Sequence, residues 1–402
     1  MEQRIDRFLE ERKKTGLLRR IQTVHPTGDG NILVDGKEYV NFSSNDYLGL
    51  ASNRELASAS FSALSPILGS SSSRLMTGTT PYHEELEDKI AEFKKKPAAL
   101  IFNSGYQANI GIISALLTRD DCVFSDRFNH ASIIDGMRLS DAKIFRFKHN
   151  DVTHLGSLLK EERHKYQEAL IITETVFSMD GDIAPLEEIV RLKDEHDCVL
   201  MVDEAHATGV FGKKGRGITE EKGLENNVDI IMGTFSKALG GFGSYAAMSR
   251  RMRDYMVNTC RSFIYSTSLP PAVIAANISA LDVVEKEPHR REELLRNAAY
   301  LREKLVCGGF KVRGESQIIP VIIGGNEEAL KISEFLKTRG FWVTPVRPPT
   351  VPSGESRLRI SLTFDHSKEI LDDFAEAMGR VGRERRKEKV RRKKVKGKKG
   401  KF

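Results

Sequence analysis

The sequence of 402 residues lacks the motifs of several common enzyme classes. It contains neither an HExxH pair nor paired cysteine and histidine ligands, so no zinc or other metal site is predicted. It contains no GxSxG turn of the serine hydrolases and no GxxxxGK[ST] phosphate loop. The GxGxxG turn of dinucleotide-binding folds is also absent where it would follow a first strand. These absences argue against metal-dependent hydrolysis, serine hydrolysis and the binding of nucleoside triphosphates or dinucleotides.

Cysteines and long hydrophobic runs are also scarce. The 4 cysteines show no CxxC spacing and no density of a disulfide framework, so a reducing, cytoplasmic compartment is expected. The opening segment MEQRIDRFLEERKK is charged throughout and has no apolar stretch of a secretory signal. The most apolar stretches, residues 111–117 and 272–284, are too short or too polar for a membrane span, and no membrane partner is predicted.

The excess of positive over negative charge is confined to one end of the chain. The formal net charge is +7, but residues 379–402 hold 14 Lys and Arg against 2 acidic residues. The remainder therefore carries 49 basic and 54 acidic residues and is mildly acidic. The segment RERRKEKVRRKKVKGKKGKF has no periodic apolar face and is predicted to be a disordered tail. Two interpretations of it stay open: a solubilising extension, or nonspecific attraction to an anionic partner.

Most of the chain alternates between predicted strands and helices. The predicted strands cover residues 98–102, 122–125, 169–173, 198–202 and the run at Ile230, and the predicted helices cover 106–117, 131–139 and 185–195. Such alternation implies βαβ crossovers and a mostly parallel sheet, which is the α/β fold class. A helix over the first 20 residues and a hairpin over 31–42, turning at Asp-Gly, are predicted ahead of it.

The pattern changes after about residue 262. A long helical segment over 272–305 precedes strands near 318–323, 342–346 and 358–362, which indicates a smaller α+β portion completed by the N-terminal segments. The predicted organisation is an N-terminal segment (1–50), a large α/β domain (51–270), a small α+β domain (271–380) and a basic tail (381–402).

The stretch DIIMGTFSKALGGFG, residues 229–243, places a lysine shortly after a strand. The short apolar run 230–232 is typical of a strand covered on both faces of a parallel sheet. Lys237 follows at the carboxyl end, where open α/β sheets bind their ligands. A partly desolvated lysine is available as an amine nucleophile, because desolvation disfavours the ammonium form. The alternative is that Lys237 is one of many surface lysines.

Other strand ends carry polar residues of complementary chemistry. IFNSGYQAN (101–109) joins a strand to a helix through a glycine turn whose amides suit a phosphate group. In VLMVDEAHATG (199–209), Asp203 ends a buried strand and requires a cationic or N–H partner, and His206 follows it. ETVFSMDGD carries Ser178, and in SDRFNHASIIDG His130 begins a helix. Tight packing or helix capping explains each feature alone.

Taken together, these features match the needs of one cofactor. Pyridoxal phosphate requires a lysine that binds its aldehyde, an acid at its pyridine nitrogen and donors for its phosphate. The strand ends supply a lysine, an aspartate, two histidines and a phosphate-type turn.

The motifs, in their order along the chain, resemble those of the α-oxoamine synthases. The matching stretches, which span roughly residues 5–379, are NFSSNDYLGL, the Gly-Tyr turn, NHASIIDG, FSMDGD, DEAHATG, TFSKALGG and YSTSLPPA. The resemblance implies pyridoxal 5'-phosphate as cofactor and an aspartate-aminotransferase-like fold (fold type I), with a large mostly parallel-sheet domain and a smaller α+β domain. It also implies a homodimer that shares its active sites. In one departure, the serine run SSSSR replaces a more glycine-rich loop, which leaves the contacts of that loop open.

The resemblance further implies roles for named residues. Lys237 would bind the cofactor covalently, Asp203 would pair with its pyridine nitrogen, and His130 would stack on its ring. The other implied cofactor ligands are His206 and Ser178 at the phenolic oxygen, Gly105, Tyr106, Thr234 and Ser236 at the phosphate, and Thr267 from the partner subunit. Arg359 would clamp the carboxylate of the amino acid, since a guanidinium fork matches a carboxylate. Arg19, Asn45 and Arg347 lie in stretches that approach the substrates.

Two stretches resemble one branch of the family, the branch of the biotin pathway. HNDVTHL (149–155) and VRPPTVPSGESRLRISLT (346–363) imply condensation of L-alanine with pimeloyl-CoA or pimeloyl-acyl-carrier protein. A sibling enzyme that uses glycine with acetyl-CoA or succinyl-CoA stays open. So does a catalytically silent subunit that keeps the fold, although the intact Lys237 and Asp203 argue against it.

Overall fold

The structure is a computed structural model that describes residues 1–64 and 68–399, with side chains described as far as Arg383 in the last helix. The helices are α1 Glu2–Lys14, α2 Arg54–Ser62, α3 Pro81–Phe93, α4 Gly105–Leu116, α5 Ala131–Leu139, α6 Val152–Glu162, α7 Leu186–Glu195, α8 Ile218–Glu221, α9 Arg250–Thr259, α10 Arg261–Ile264, α11 Pro271–Lys286, α12 Pro288–Cys307, α13 Asn326–Thr338 and α14 Lys368–Lys399. The strands are β1 His25–Gly28, β2 Asn31–Val34, β3 Lys37–Asn41, β4 Ala98–Phe102, β5 Cys122–Asp126, β6 Lys143–Phe147, β7 Ala169–Glu174, β8 Val199–Asp203, β9 Ile230–Thr234, β10 Ser244–Met248, β11 Ile318–Gly324, β12 Phe341–Trp342, β13 Pro345–Val346 and β14 Ser356–Ser361. A π-helical turn covers Arg74–Gly78, and a 3-10 turn covers Arg163–Lys165.

A 7-stranded sheet in the order β4-β10-β9-β8-β7-β5-β6 forms the centre of the larger part of the fold. Strands β6, β5, β7, β8 and β9 run parallel to one another, as the alternating pattern predicts. Every residue of β7 and β9 is buried, which explains why these strands read as continuous apolar runs. The predicted α/β class with a large, mostly parallel sheet is confirmed.

Two strands of this sheet are missing from the sequence prediction. Strand β10 (SYAAM) pairs antiparallel with β4 and β9, and its small residues give little strand signal. Strand β6 (KIFRF) lies at the edge of the sheet, where exposed lysine and arginine side chains interrupt the apolar pattern.

The chain folds into two compact units. The larger unit consists of Asn45–Ser178 and Asp182–Glu292, and the smaller unit consists of Met1–Ser44, Met179–Gly181 and the chain from Glu293 onward. Residues 271–292, which the predicted domain limits assign to the small domain, belong to the larger unit. The physical reason is that α11 packs on α2 and α3.

The smaller unit contains two small sheets, ordered β1-β2-β3-β12 and β11-β14-β13. The predicted hairpin is confirmed: β2 and β3 pair antiparallel around Asp35 and Gly36, which have φ of 50° and 76°. Positive φ at both central residues is what a tight hairpin turn requires, and an Asp-Gly pair supplies it. The apolar side chains of α1 (Ile5, Phe8 and Leu9) are exposed, so this helix contributes no buried residue.

Two helical predictions differ from the structure. The long helical segment is two helices, because Pro288 cannot continue α11 and instead begins α12. The tail that was predicted to be disordered is helical as far as Lys399, as the continuation of α14, and residues 400–402 lie outside the described part. Lysine and arginine are good helix formers, and α14 begins on buried residues such as Phe374 and Met378, so the helix extends into the basic segment.

Candidate active site

Three parallel strands of the larger unit end in polar residues at one edge of the sheet. Strand β7 ends at Glu174, β8 at Asp203 and β9 at Thr234. Glu174 and Asp203 are register partners across β7 and β8. Because carboxyl ends of parallel strands meet at one edge, this edge is where a ligand is expected.

Lys237 lies against a histidine at this edge. The Nζ atom of Lys237 is 3.0 Å from Nε2 of His206. The other ring nitrogen of His206, Nδ1, is 2.6 Å from the hydroxyl of Tyr47, and this hydroxyl donates to Oδ1 of Asn45 at 3.1 Å. Tyr47 and His206 are buried. The imidazole is therefore oriented by Tyr47 on one side, and its other nitrogen faces the lysine amine.

The carboxylate of Asp203 is buried at the end of β8 and is held by two N–H donors. The side-chain amide of Asn109 donates to Oδ2 at 2.9 Å, and the backbone N–H of Ala205 donates to Oδ1 at 2.9 Å. Two hydrogen bonds to a buried carboxyl group offset part of the cost of its burial. This arrangement leaves Asp203 suited to hold a proton on a basic ring nitrogen.

Asn109 also connects Asp203 to His130. Its Nδ2 atom is 3.0 Å from Oγ of Ser132, and Ser132 Oγ is 2.8 Å from Nδ1 of His130. His130 caps the N-terminus of α5. Although the residue as a whole is exposed, loss of water around its ring lowers the pKa of His130, and the Lys237 cation lowers it further, against an opposing effect of Asp203.

Glu174 is an additional buried acid beside Asp203. Its Oε2 atom accepts the backbone N–H of Ser178 at 3.3 Å, whereas Oε1 is buried without a hydrogen-bond partner among the described residues. Burial, with the Asp203 carboxylate, raises the pKa of Glu174 to about 8, although Lys237 opposes the rise. Two adjacent buried carboxyl groups do not ionise equally, so Glu174 is mainly neutral at pH 7.

The turn before α4 has the features of a phosphate site. A Cβ atom at Gly105 would lie only 2.9 Å from Cγ2 of Thr234, so this backbone approaches β9 more closely than a side chain allows. The hydroxyl of Thr234 is buried without a hydrogen-bond partner among the described residues. An unsatisfied hydroxyl beside the N-terminus of a 12-residue helix fits the phosphate group of pyridoxal phosphate.

The remaining predicted phosphate ligands are Tyr106 beside this turn, Ser236 after β9 and Thr267 after α10. The hydroxyl of Tyr106 donates to the carboxylate of Asp135, and its ring meets the His130 ring edge-to-face at 6.3 Å between centroids. Ser236 is exposed. Thr267 is also exposed, and its carbonyl oxygen accepts the amide of Asn103 at 2.7 Å.

The predicted substrate arginines all lie in the smaller unit. Arg359 is buried on β14, and its Nη1 donates to Oγ of Ser361 at 2.6 Å. Arg19 donates to the hydroxyl of Thr350 at 2.8 Å, and Arg347 donates to the carbonyl of Gly16. Burial, with the neighbouring Arg19 cation, lowers the pKa of Arg347. The fold therefore brings Arg19 and Arg347 together, as neighbouring positive charges.

Some residues of the site are not found from the sequence pattern. They are Tyr47, Asn109, Ser132 and Glu174. Asn109 lies one helical turn after Gly105, and Tyr47 lies two residues after Asn45 in the quoted motif. Their closeness in sequence to predicted site residues is therefore the signal that could have identified them. Among the described residues, no group of three or more His, Cys, Asp or Glu is arranged to hold a metal ion. Within the same part of the chain, no helix is long and apolar enough to cross a bilayer.

The chain matches a known family and close relatives over most of its length. The family model described as Aminotransferase class I and II matches residues 37–378. A protein of Geotalea daltonii named 8-amino-7-oxononanoate synthase is 47% identical over 379 residues, which cover 93% of this chain and 96% of that protein. A protein of the same name from Lysinibacillus sphaericus is 42% identical, with 96% of this chain and 99% of the relative covered.

Solved structures of the same fold are also similar to this chain. The serine palmitoyltransferase of Sphingomonas wittichii superimposes with a TM-score of 0.89 at 33% identity, covering 94% of this chain and 97% of that one. The 8-amino-7-oxononanoate synthase of Francisella tularensis has a TM-score of 0.75 at 28% identity, covering 87% and 98% of the two chains. The chain therefore belongs to the aminotransferase class I and II family and, within it, to the α-oxoamine synthases, which are pyridoxal-phosphate-dependent acyltransferases of aspartate-aminotransferase-like fold.

Proposed function

We propose that this protein condenses L-alanine with a pimeloyl thioester, with loss of CO2, to give 8-amino-7-oxononanoate and the free carrier in biotin biosynthesis. The observation that carries the proposal is that relatives of that name are 42–47% identical over nearly the whole chain. Both pimeloyl-CoA and pimeloyl-acyl-carrier protein stay candidates for the acyl donor, and the cytoplasm stays the expected location.

Bound pyridoxal phosphate supplies an electron sink for the negative charge that develops at Cα of the amino acid. We assign Lys237 two tasks: it attaches the cofactor, and its released amine takes the proton from Cα. A base that is placed by exchange with the substrate acts through proximity and needs no additional residue. The 3.0 Å contact between Lys237 Nζ and His206 Nε2 supports this assignment, because it places a hydrogen-bonding group at the amine.

We assign four residues to the cofactor ring: Asp203, His206, Ser178 and His130. Asp203 would hold the proton on the pyridine nitrogen, and the two N–H donors that fix the position of its carboxyl group support this role. His206 and Ser178 would bond the phenolic oxygen, and His130 would lie on the face of the ring. The lowered pKa of His130 supports a neutral, stacking imidazole rather than a cation.

The phosphate and the amino acid are assigned to separate groups of residues. Residues proposed for the phosphate are Gly105, Tyr106, Thr234 and Ser236, with Thr267 of the partner subunit. The buried hydroxyl of Thr234, which has no partner within the described part of the chain, is the observation that supports them. Arg359 would hold the substrate carboxylate, with Arg19, Asn45 and Arg347 near the substrates. The adjacent cations Arg19 and Arg347 support an anionic group there, such as the distal carboxylate of the pimeloyl chain.

We also propose that the active unit is a homodimer with shared sites. Large apolar side chains that are exposed on the larger unit flank Thr267. Ser73 forms a β-bridge with Thr267, and near this bridge Met76 is 78% and Tyr265 is 73% exposed. Exposed apolar groups of this size mark protein contacts. Sedimentation of the wild type and of Met76→Glu tests the proposal: we expect a dimer and a weakened dimer, and a monomeric wild type would contradict it.

The decisive experiment for the reaction is a spectral titration of the purified protein with L-alanine and with glycine, followed by pimeloyl-CoA or the carrier-protein thioester. A long-wavelength band that reports loss of the Cα proton, and that requires alanine and the pimeloyl thioester, is the expected result. The same band with glycine and acetyl-CoA or succinyl-CoA would instead support the sibling activity. Absence of any cofactor absorbance that borohydride removes would point to a catalytically silent subunit.

A further inference from the structure

The buried ammonium group of Lys94 forms hydrogen bonds to residues on both sides of the turn that contains His206. Lys94 follows α3, and its side chain, like that of Glu204, has an exposure of 0%. Its Nζ atom is 2.7 Å from Oε2 of Glu204 and 3.0 Å from Oγ1 of Thr208. A third hydrogen bond runs to the carbonyl oxygen of Arg216. The three donors of the ammonium group are thus all used inside the larger unit.

Glu204 and Thr208, which Lys94 holds, lie on either side of His206 in the sequence. The backbone N–H groups of Ala207 and Thr208 both donate to the carbonyl oxygen of Glu204 at 2.9 Å. His206 lies within this turn, and Asp203 precedes it. Movement of Glu204 or Thr208 therefore moves the backbone on either side of the His206 ring.

The partners of Lys94 are themselves fixed by further hydrogen bonds. Thr219 donates to Glu204 through its backbone N–H at 2.9 Å and through its hydroxyl at 3.2 Å. The hydroxyl of Tyr245 on β10 lies 2.9 Å from Oγ1 of Thr208. The network therefore ties the turn to the sheet as well as to α3, with fixed directions at each bond.

A contribution to folding stability alone does not explain why the protein has a buried ion pair here. Desolvation makes a fully buried ion pair an inefficient source of stability, and an apolar pair of similar volume is often equally stable. An apolar pair would nonetheless lack directed bonds and would leave the turn without a set orientation. We propose that Lys94 and Glu204 are positioning residues that hold His206 at its distance from Lys237 through their buried ion pair. The proposal rests on the assignment of Lys237 and His206 to the cofactor under the proposed function.

The neighbouring residue provides a matched control. Lys95 forms an ion pair with Glu225 at 2.9 Å between Nζ and Oε1, but its side chain is 54% exposed. None of the bonds described for the His206 turn involves Lys95. The variants K95M/E225Q and K94M/E204Q thus remove one ion pair each from adjacent positions of the chain.

The test is a pH titration of the absorbance of the cofactor bound to Lys237, with kcat and KM measured on the same samples. K94M alone leaves Glu204 as an uncompensated buried charge, so the double variant K94M/E204Q and the shape-conserving single variant E204Q are compared. We expect K94M/E204Q and E204Q each to fold and to unfold cooperatively. In the double variant, the pKa of the absorbance transition rises by about 0.5–1 unit, because the phenolic oxygen loses a donor.

In the same variant, kcat falls about 10–100-fold while KM for the amino acid changes less than about 3-fold, as expected for misplacement of a group near the reacting atoms. In E204Q the pKa of the absorbance transition and kcat change in the same directions, but by smaller amounts. The proposal is overturned if K94M/E204Q and E204Q both fold and have the same absorbance transition and the same kcat as the control K95M/E225Q. The variant His206→Asn separates this failure from failure of the proposed function: a cofactor transition that H206N leaves unmoved contradicts the role of His206 itself.

Discussion

His149 lies between two carboxylates, with Nε2 at 2.7 Å from Oδ2 of Asp182 and Nδ1 at 3.0 Å from Oδ1 of Asp126. The ring stacks on Phe128 and meets Phe177 edge-on. Burial lowers the pKa of His149, but the bonds to Asp126 and Asp182 outweigh it and raise the value to about 9. The cation therefore joins the end of β5 and the chain just before α6 to Asp182, four residues after Ser178.

The first prediction concerns stability against pH. Because the folded pKa of about 9 exceeds the ordinary value of 6.5, the stabilisation is complete below pH 6.5 and is lost as pH rises through 9. A shift of this size corresponds to about 3 kcal/mol. We expect the Tm difference between the wild type and His149→Gln to shrink between pH 6.5 and 9.5. The exposed His164 provides the control variant H164Q, and a Tm difference for H149Q that does not change with pH contradicts the prediction.

The second prediction concerns the lysine. Lys237→Ala removes both the attachment of the cofactor and the base at Cα, so turnover falls by at least about 10⁴-fold. The cofactor is still bound, but more weakly and without the absorbance that borohydride removes. Lys222, on the surface of the same unit, gives the control K222A with unchanged turnover. Undiminished turnover in K237A would rule out the proposed mechanism.

The third prediction concerns Asn109, the link between Asp203 and Ser132. In Asn109→Ala the Asp203 carboxylate loses the donor that lies 2.9 Å away. A hydrogen bond to a charged group contributes about 1.5–3 kcal/mol, so the Kd of the cofactor rises about 10–100-fold. Ser114→Ala, which removes a bond within the same helix, serves as the control for α4. Equal cofactor affinity in N109A and S114A contradicts the proposed support of Asp203.

The fourth prediction separates two arginines of β14. Arg359→Lys loses the fork that matches a carboxylate, so KM for the amino acid rises about 10–100-fold while the cofactor absorbance is unchanged. Arg357, two residues earlier, is buried and bonds Asp180 at 2.8 Å and Glu355 at 2.9 Å. We expect Arg357→Lys to lower Tm without this change in KM. The assignment of Arg359 fails if its variant has the KM of the wild type.

The fifth prediction concerns the basic end of α14. Removal of residues 384–402 takes away 12 Lys and Arg together with 2 acidic residues, so the net charge changes from +7 to −3, while the buried residues Met378 and Val381 stay in place. We expect unchanged turnover and Tm, and loss of the salt-sensitive retention of the full chain on a polyanionic resin. A fall in turnover after this truncation would show that the tail belongs to the catalytic unit.

The candidate site shows where local pattern is informative. The positions of Asp203 and Thr234 follow from strands that are apolar up to their last residue, so their place at the sheet edge could be predicted. The same holds for the Gly105 turn, because a strand, a glycine and a helix in succession leave little choice of geometry. Strand β10 could not be found in this way, since its small residues give little strand signal and only its pairing with β4 and β9 defines it.

Residue types and their spacing predict the alternation of strands and helices, the hairpin at Asp35 and Gly36, and the motifs that identify the family. These depend on residue type and spacing over short distances, which is information that a linear pattern holds. No such pattern predicts that Tyr47 orients His206, that Asn109 joins Asp203 to Ser132, or that Lys94 is buried against Glu204. Those contacts join residues that are 94 to 159 positions apart in the pairs Asn109–Asp203, Lys94–Glu204 and Tyr47–His206. Their partners are selected by the packing of separate elements, and no local period records that choice.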